Sequence, residues 1–295
     1  MGVRIPGALP DPRYFQMAVL CVLISYGTLA LDFEIQPLVA LCAVCSALAS
    51  QFVLALLWRL PSLDPRSALT SALSLCLLLR TTSLTTALLA GFLAIGSKFL
   101  LRSRGRHFFN PSAFALAGVL LLCDDAWVSA GQWGAAPLFG LVVAGLGSLV
   151  LWRVRQSDVT WAFIGCYAVL LLGRALWLGD PLVIPLHVMK NGAFLIFAFF
   201  MISDPRTIPD SRAGRVLFAA LVAVGALVIR FEFYQTNALI WSLVGCAPLV
   251  PLIDRLLPGD HYEWGDFQRK QHHGGKTDVE KGDLGALFPG LGAAG

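Results

Sequence analysis

Phe108-Phe109-Asn110-Pro111-Ser112-Ala113 falls on Phe233-Tyr234-Gln235-Thr236-Asn237-Ala238 when the sequence is shifted by 125 residues. The same shift sets Thr82 on Thr207, Ala94 on Ala219 and Val119 on Val244, without gaps. Five apolar stretches separate the two copies. An odd number of membrane crossings inverts the second copy, so the chain reads as an inverted repeat. Folds of that kind set interrupted helices and binding sites near mid-membrane, where the halves meet. Chance similarity among apolar helices is the competing explanation, and composition and loop charge bear on it independently.

Of the 295 residues, 57% are hydrophobic and only 14% charged, against roughly 25% charged in soluble domains. The composition is that of an all-α, polytopic membrane protein in contact with a lipid bilayer. The net charge of +4 is distributed for orientation in a membrane, not for binding nucleic acid. Cys21, Cys42, Cys45, Cys76, Cys166 and Cys246 lie inside apolar runs, away from the loops a disulfide framework needs. No cleavable signal is evident, because the first apolar run, from Tyr14, lacks a small-residue cleavage site.

About 20 apolar residues cross a bilayer as a helix. The expected spans are 14–31, 36–58, 67–79, 83–101, 111–123, 136–153, 157–178, 182–203, 213–230 and 236–256. The third is short, and the eighth carries Pro185, Lys190, Asn191 and Gly192 in its middle. These two read as broken helices in equivalent places of two inverted five-helix repeats. Irregular backbone at that depth requires a surrounding of protein or a wet cavity.

Loop charge tests the ten-span count. Arg4, Arg13, Arg59, Arg66, Lys98, Arg102, Arg104, Arg106, Arg153, Arg155, Arg206, Arg212, Arg215 and Arg255 fall at the N-terminus and in alternate gaps, 14 on one side. Arg80, Arg174 and Arg230 are the 3 basic residues of the other gaps. The positive-inside rule sets both termini in the cytoplasm. The organisation is a cytoplasmic N-terminus (1–13), a first repeat (14–123), an extracytoplasmic loop (124–135), a second repeat (136–258) and a polar, glycine-rich tail (259–295) with too little apolar surface to fold alone.

Three stretches stand out chemically. In Arg104-Gly105-Arg106-His107-Phe108-Phe109-Asn110-Pro111, Asn110 is a natural helix cap, with Pro111 at the first helical position. The basic cluster before it suits lipid head groups, and the helix start suits a phosphate or flavin. In Ser203-Asp204-Pro205-Arg206-Thr207, Asp204 either pairs with Arg206 or Arg212 or caps the next turn, on the same side as Asn110. In His187-Val188-Met189-Lys190-Asn191-Gly192, an ammonium within the eighth span costs about 2.5–3.5 kcal/mol on insertion scales, which calls for a partner or a wet cavity. No second histidine lies at a level suited to a bis-histidine haem. No P-loop, dinucleotide-binding glycine motif, metal tetrad or nucleophile elbow is present, so any catalysis runs through a bound cofactor.

These residues resemble a known family. Lys98, Gly105 and Phe109-Asn110-Pro111-Ser112-Ala113 resemble the helix, glycine loop and Asn-Pro-Ala motif of the membrane subunits RnfD and NqrB. These belong to Rnf electron-transport complexes and sodium-translocating NADH:quinone reductases. Phe200-Met201-Ile202-Ser203-Asp204-Pro205-Arg206-Thr207-Ile208-Pro209 with Gly214-Arg215 is similar to the family's Phe-Met-Ala-Thr-Asp-Pro-x-Thr-Ser-Pro…Gly-Arg, and Pro251-Leu252-Ile253-Asp254 to the end of its last helix. The resemblance spans about 36–256 and implies ten helices in two inverted halves. It also implies an electron-transport subunit of the bacterial cytoplasmic (inner) membrane, with other membrane or redox subunits as partners.

One departure is chemical. The family attaches FMN to the Thr of a Ser-Gly-Ala-Thr motif, and the matching Trp133-Gly134-Ala135-Ala136 puts Ala136 there, without the hydroxyl a phosphoester needs. Arg80-Thr81 also replaces prolines usual in the family's third helix. The expectation is a divergent subunit without covalent FMN, holding a non-covalent flavin (FMN or riboflavin) or a quinone. Asn110, Asp204 and Thr207 would line the cytoplasmic side of its cofactor site, with His187, Lys190 and Asn191 in the interior. A small-solute channel or transporter, or a membrane anchor for a redox partner, is the alternative.

Overall fold

A computed structural model describes residues 12–30, 33–60, 64–128, 145 and 157–259. The expected sixth span, 136–153, Ala136 and both termini lie outside the described residues, apart from Gly145.

Helices occupy the other expected spans: α1 (Pro12–Ala30), α2 (Pro37–Leu57), α3 (Arg66–Leu78), α4 (Leu84–Leu100), α5 (Pro111–Leu122), α6 (Ser157–Leu178), α7 (Val183–Lys190), α8 (Gly192–Ile196) with a π turn over Phe197–Met201, α9 (Arg212–Phe231), α10 (Ala238–Cys246) and, after a short 3₁₀ turn, α11 (Val250–Leu256). Among the described residues, five spans are long and apolar enough to cross a membrane, or six if α7 and α8 with its π turn, bent by 55°, count as one. The chain is thus a multi-pass membrane protein. The ten crossings read from loop charge are not reached on length, because α3, α4 and α5 have 13, 17 and 12 residues. At 1.5 Å per residue these are shorter than a hydrocarbon core of about 30 Å.

The breaks have local causes. α3 stops where Leu79 turns extended, and β1 (Leu79–Arg80) pairs antiparallel with β4 (Trp127–Val128). The second break is at Asn191, whose extended backbone ends α7 and whose side chain accepts from the Ala193 N–H at 2.9 Å to start α8. The N–H groups of a helix start need such an acceptor. Between α4 and α5, β2 (Arg102–Ser103) and β3 (Arg106–His107) form a hairpin. Its two-residue turn has φ of 50° at Arg104 and 83° at Gly105, the left-handed pair that tight hairpins require.

Helix packing uses small residues, as in membrane interiors where hydrophobicity does not drive helices together. α2 lies against α4, and α6 against α9; α4 lies against α5, and α9 against α10. At Gly91 the α2–α4 approach is tight: a methyl there would meet the Ala43 carbonyl oxygen at 2.6 Å. The core gathers Phe163, Tyr167, Phe194 and Phe197 in ring contact with centroids 5.1–5.9 Å apart. Leu29, Trp177 and Val183 stand 84%, 89% and 74% exposed, the pattern of side chains that face lipid.

Candidate functional site

Three stretches far apart in sequence converge at one end of the helices. Arg106, 6% exposed on β3, donates from Nη1 to the Ile208 carbonyl at 3.2 Å and to the Asp210 carboxylate at 2.9 Å. Its Nη2 donates to the buried Asp254 carboxylate in α11. The other oxygen of Asp254 accepts the Asp210 N–H at 2.8 Å. Next to this joint, Arg215 makes a bidentate pair with Asp158 at the start of α6 and donates to the Asp210 carbonyl at 2.7 Å. An acid at a helix start and a paired guanidinium are both favourable. Asp254, in the last turn of α11, sits where the helix dipole disfavours an acid, so Arg106 is its compensation.

Asn110 and Thr207 lie beside this joint. Asn110 caps α5, accepting from the Ala113 N–H at 3.0 Å, and donates to the Met201 carbonyl at 3.0 Å, tying the α5 start to the π turn. Asp204 caps its own turn, accepting the Arg206 N–H at 3.1 Å instead of pairing with Arg212. The Thr207 hydroxyl donates to the Asp204 carbonyl at 3.1 Å. The donors of Asn110 and Thr207 thus point at the chain's own carbonyls. As placed, these side chains fit a loop clamp and do not fit a flavin cradle.

A second group of ionisable residues lies among the same loops. Lys98, 6% exposed near the end of α4, donates to Ser67 Oγ at 2.9 Å. Burial opposes charging of His107 and, with the cations Lys98, Arg206, Arg102 and Arg106 nearby, holds it well below its ordinary value. Burial raises the Asp204 carboxyl, with Arg206 and Lys98 acting against it. Asp64 is also raised by burial, but hydrogen bonds from Arg66 and Arg13 outweigh this and set it at about 2.

His187 and Lys190 lie elsewhere. Both are exposed on α7, in contrast to the interior position expected from the sequence. The break at Asn191 is where expected, but Lys190 occupies the last turn of α7, where a cation meets the negative end of the helix and reaches outward. Asn191 is spent on capping α8. The structure therefore groups Asn110 with Asp204 and Thr207 and separates them from His187, Lys190 and Asn191. Sequence reasoning missed the Arg106–Asp210–Asp254 joint. Its available signal was an Asp at the end of an apolar helix and a conspicuous Arg before the Asn-Pro cap.

The sequence profile of the NQR2, RnfD, RnfE family matches residues 124–263. The RnfD-type relative in Cronobacter sakazakii, a component of an ion-translocating oxidoreductase complex, is 30% identical over 141 residues, 42% of this chain and 39% of the relative. Its counterpart in Tolumonas auensis is 38% identical over 67 residues, 23% of this chain and 19% of the relative. That of Yersinia pestis is 28% identical over 134 residues, 40% and 37% of the two chains. The chain thus spans at most about two fifths of the length of these relatives. By these matches, and by motif stretches that fold onto one joint, the chain is similar to the NQR2, RnfD, RnfE family over its second half.

Proposed function

We propose that this chain is the membrane subunit of an electron-transport complex of the ion-translocating oxidoreductase type, without covalent FMN. In this reading it has ten crossings in two inverted halves, lies in the bacterial inner membrane with cytoplasmic termini, and works with further redox subunits. The observation that carries the reading is the Arg106 joint. It brings the glycine hairpin, the Asp-Pro loop and the Pro-Leu-Ile-Asp end of the last helix to one place. Each is a stretch on which the family resemblance rests. The paired packing of α2 on α4 with α6 on α9, and of α4 on α5 with α9 on α10, supports two related halves. Contacts also sort by the expected side: Arg13 meets Asp64, and Arg106 meets Asp210 and Asp254, on the basic side. Thr81 and Thr86 meet Asp125 on the other.

A flavin or quinone would supply electron storage between donor and acceptor subunits. Of the residues considered, His187 and Lys190 remain open to contact such a group, being exposed beside the helix break. Asn110, Asp204 and Thr207 fix the loops at the other end. The test is to purify the native complex and release its chromophores with acid. The expected result is a reducible flavin or quinone in the supernatant and no flavin fluorescence on the denatured band. A complex with no such group would overturn the reading in favour of a small-solute transporter or an anchor, and a fluorescent band would overturn the claim at Ala136.

A further inference from the structure

Lys190 ends α7 at the bend of the eighth span, and its side chain is exposed. From Val183 it lies roughly 10 Å along α7, at 1.5 Å per residue. Beyond the bend the helical path continues from Gly192 to Met201. The ammonium thus stands away from both ends of the span, at the level of lipid chains, where a lone charge is costly. Among the described residues, neither Lys190 nor His187 has a hydrogen-bond or ion-pair partner. Lys98, by contrast, is buried and donates to Ser67 Oγ. The sequence offers Lys190 no acid at its level. Within the ten apolar stretches, Asp158 and Asp254 are the only carboxylates. Each stands at the end of its stretch, and each is held by an arginine, Arg215 or Arg106. A second copy of this chain has the same acids and cannot supply one either.

The surface around Lys190 has the form of a helix-packing face. Val183, Leu186, His187 and Lys190 follow the spacing i, i+3, i+4, i+7, and all four are exposed, so they make one stripe along α7. The stripe is apolar where the helix starts and cationic where it ends. Exposed Trp177 and Leu178, at the end of α6, add apolar surface near its start. We propose that this stripe docks a transmembrane helix of a partner subunit, and that this helix carries an Asp or Glu at mid-span facing Lys190. The proposal rests on the reading of the chain as a subunit of a membrane complex, and it names the face and the chemistry of one partner. An acid on that helix would be as costly alone as Lys190 is, so each charge specifies the other. Apolar contact by itself gives a membrane helix little preference for protein over lipid, whereas a polar pair does. A lipid phosphate fits the position less well, because it lies at the membrane surface beyond the start of α7.

The test uses the complex purified from native membranes, with the wild-type or a variant chain. Lys190→Met keeps the length and removes the charge, and should lower the yield of co-purified membrane subunits about tenfold. Lys190→Arg should retain them. Unfolding of the isolated chain in detergent should be the same for all three, since no group of the chain holds Lys190. Benzoylphenylalanine placed at Leu186 should crosslink, under light, to a partner peptide with an Asp or Glu inside its apolar segment. Full co-purification with Lys190→Met would overturn the proposal. Crosslinks to lipid alone, to a second copy of this chain or to a helix without an acid would do the same. So would destabilisation of the isolated Lys190→Met chain, which would mean that Lys190 is held within its own fold. A wild-type chain that purifies without membrane partners would instead overturn the subunit reading on which the docking face stands.

Discussion

Arg106 and Arg80 are both buried arginines at loop level, at opposite ends of the helices, and the chain treats them differently. Arg106 meets two carboxylates and a carbonyl drawn from loops and a helix more than 100 residues away. Among the described residues, Arg80 donates only to carbonyls at the end of its own helix, lies over the Phe33 ring and leaves Nε and Nη2 without a hydrogen-bond partner. A satisfied buried guanidinium is a structural joint, and removing it strands its partners. An unsatisfied one costs the chain stability, and removing it strands nothing. Buried charge alone therefore does not mark a joint; the count of met donors does.

The largest effect should come from Arg106→Met. It leaves Asp210 and Asp254 without their main cation, and breaking a buried pair costs about 3–5 kcal/mol. Chemical unfolding in detergent should show a drop of that order, together with loss of assembly into the complex. Arg215→Met should be milder, about 1.5–3 kcal/mol, because the Asp158 it deserts lies at a helix start and is 17% exposed at its side chain. A cost as large as that of Arg106→Met would mean that the two arginines form one inseparable network.

His107 gives a pH-dependent contrast. Its folded value lies below its ordinary 6.5. The unfolded chain therefore takes up the proton first, and the stability His107 contributes is present above pH 6.5 and lost as pH falls below it. Between pH 7.5 and 5 the wild type should lose stability relative to His107→Gln. Asp204, shifted upward, has the opposite sign and cancels when the two proteins are compared. Identical slopes would mean that His107 is open to water. The smallest effect is expected at Arg80→Gln. In lipid-free detergent, thermal unfolding should change by less than about 1 kcal/mol or shift upward, since the variant removes donors that nothing satisfies. A loss like that of Arg106→Met would erase the distinction between the two.

Much of the helical skeleton is legible in the sequence. The 157–178 apolar run and α6 have the same bounds, and the Asn191 break falls where Lys190-Asn191-Gly192 interrupts the eighth span. Asn110 as a cap followed from residue type alone. The partners of Arg106 were illegible because they lie 104 and 148 residues away, and one sequence carries no record of which loops meet. The direction of Lys190 was illegible for another reason: in a helix of eight residues one position turns the side chain by about 100°, from protein to surface. Arg80 illustrates the same limit. The hydroxyls of Thr81 and Thr86 claim the nearby Asp125, a contact that no residue pattern announces.

The central claim is that the hairpin, the Asp-Pro loop and the last helix are locked together through Arg106. A double-mutant cycle on Arg106→Met and Asp254→Leu, read by unfolding free energy in detergent, tests it most directly. The locked joint predicts that the double variant recovers part of the loss, with a coupling of about 2 kcal/mol or more, within the range seen for residues of one ionic network. Additive losses, with coupling under about 0.5 kcal/mol, would contradict it and reduce the joint to neighbouring charges that share a surface.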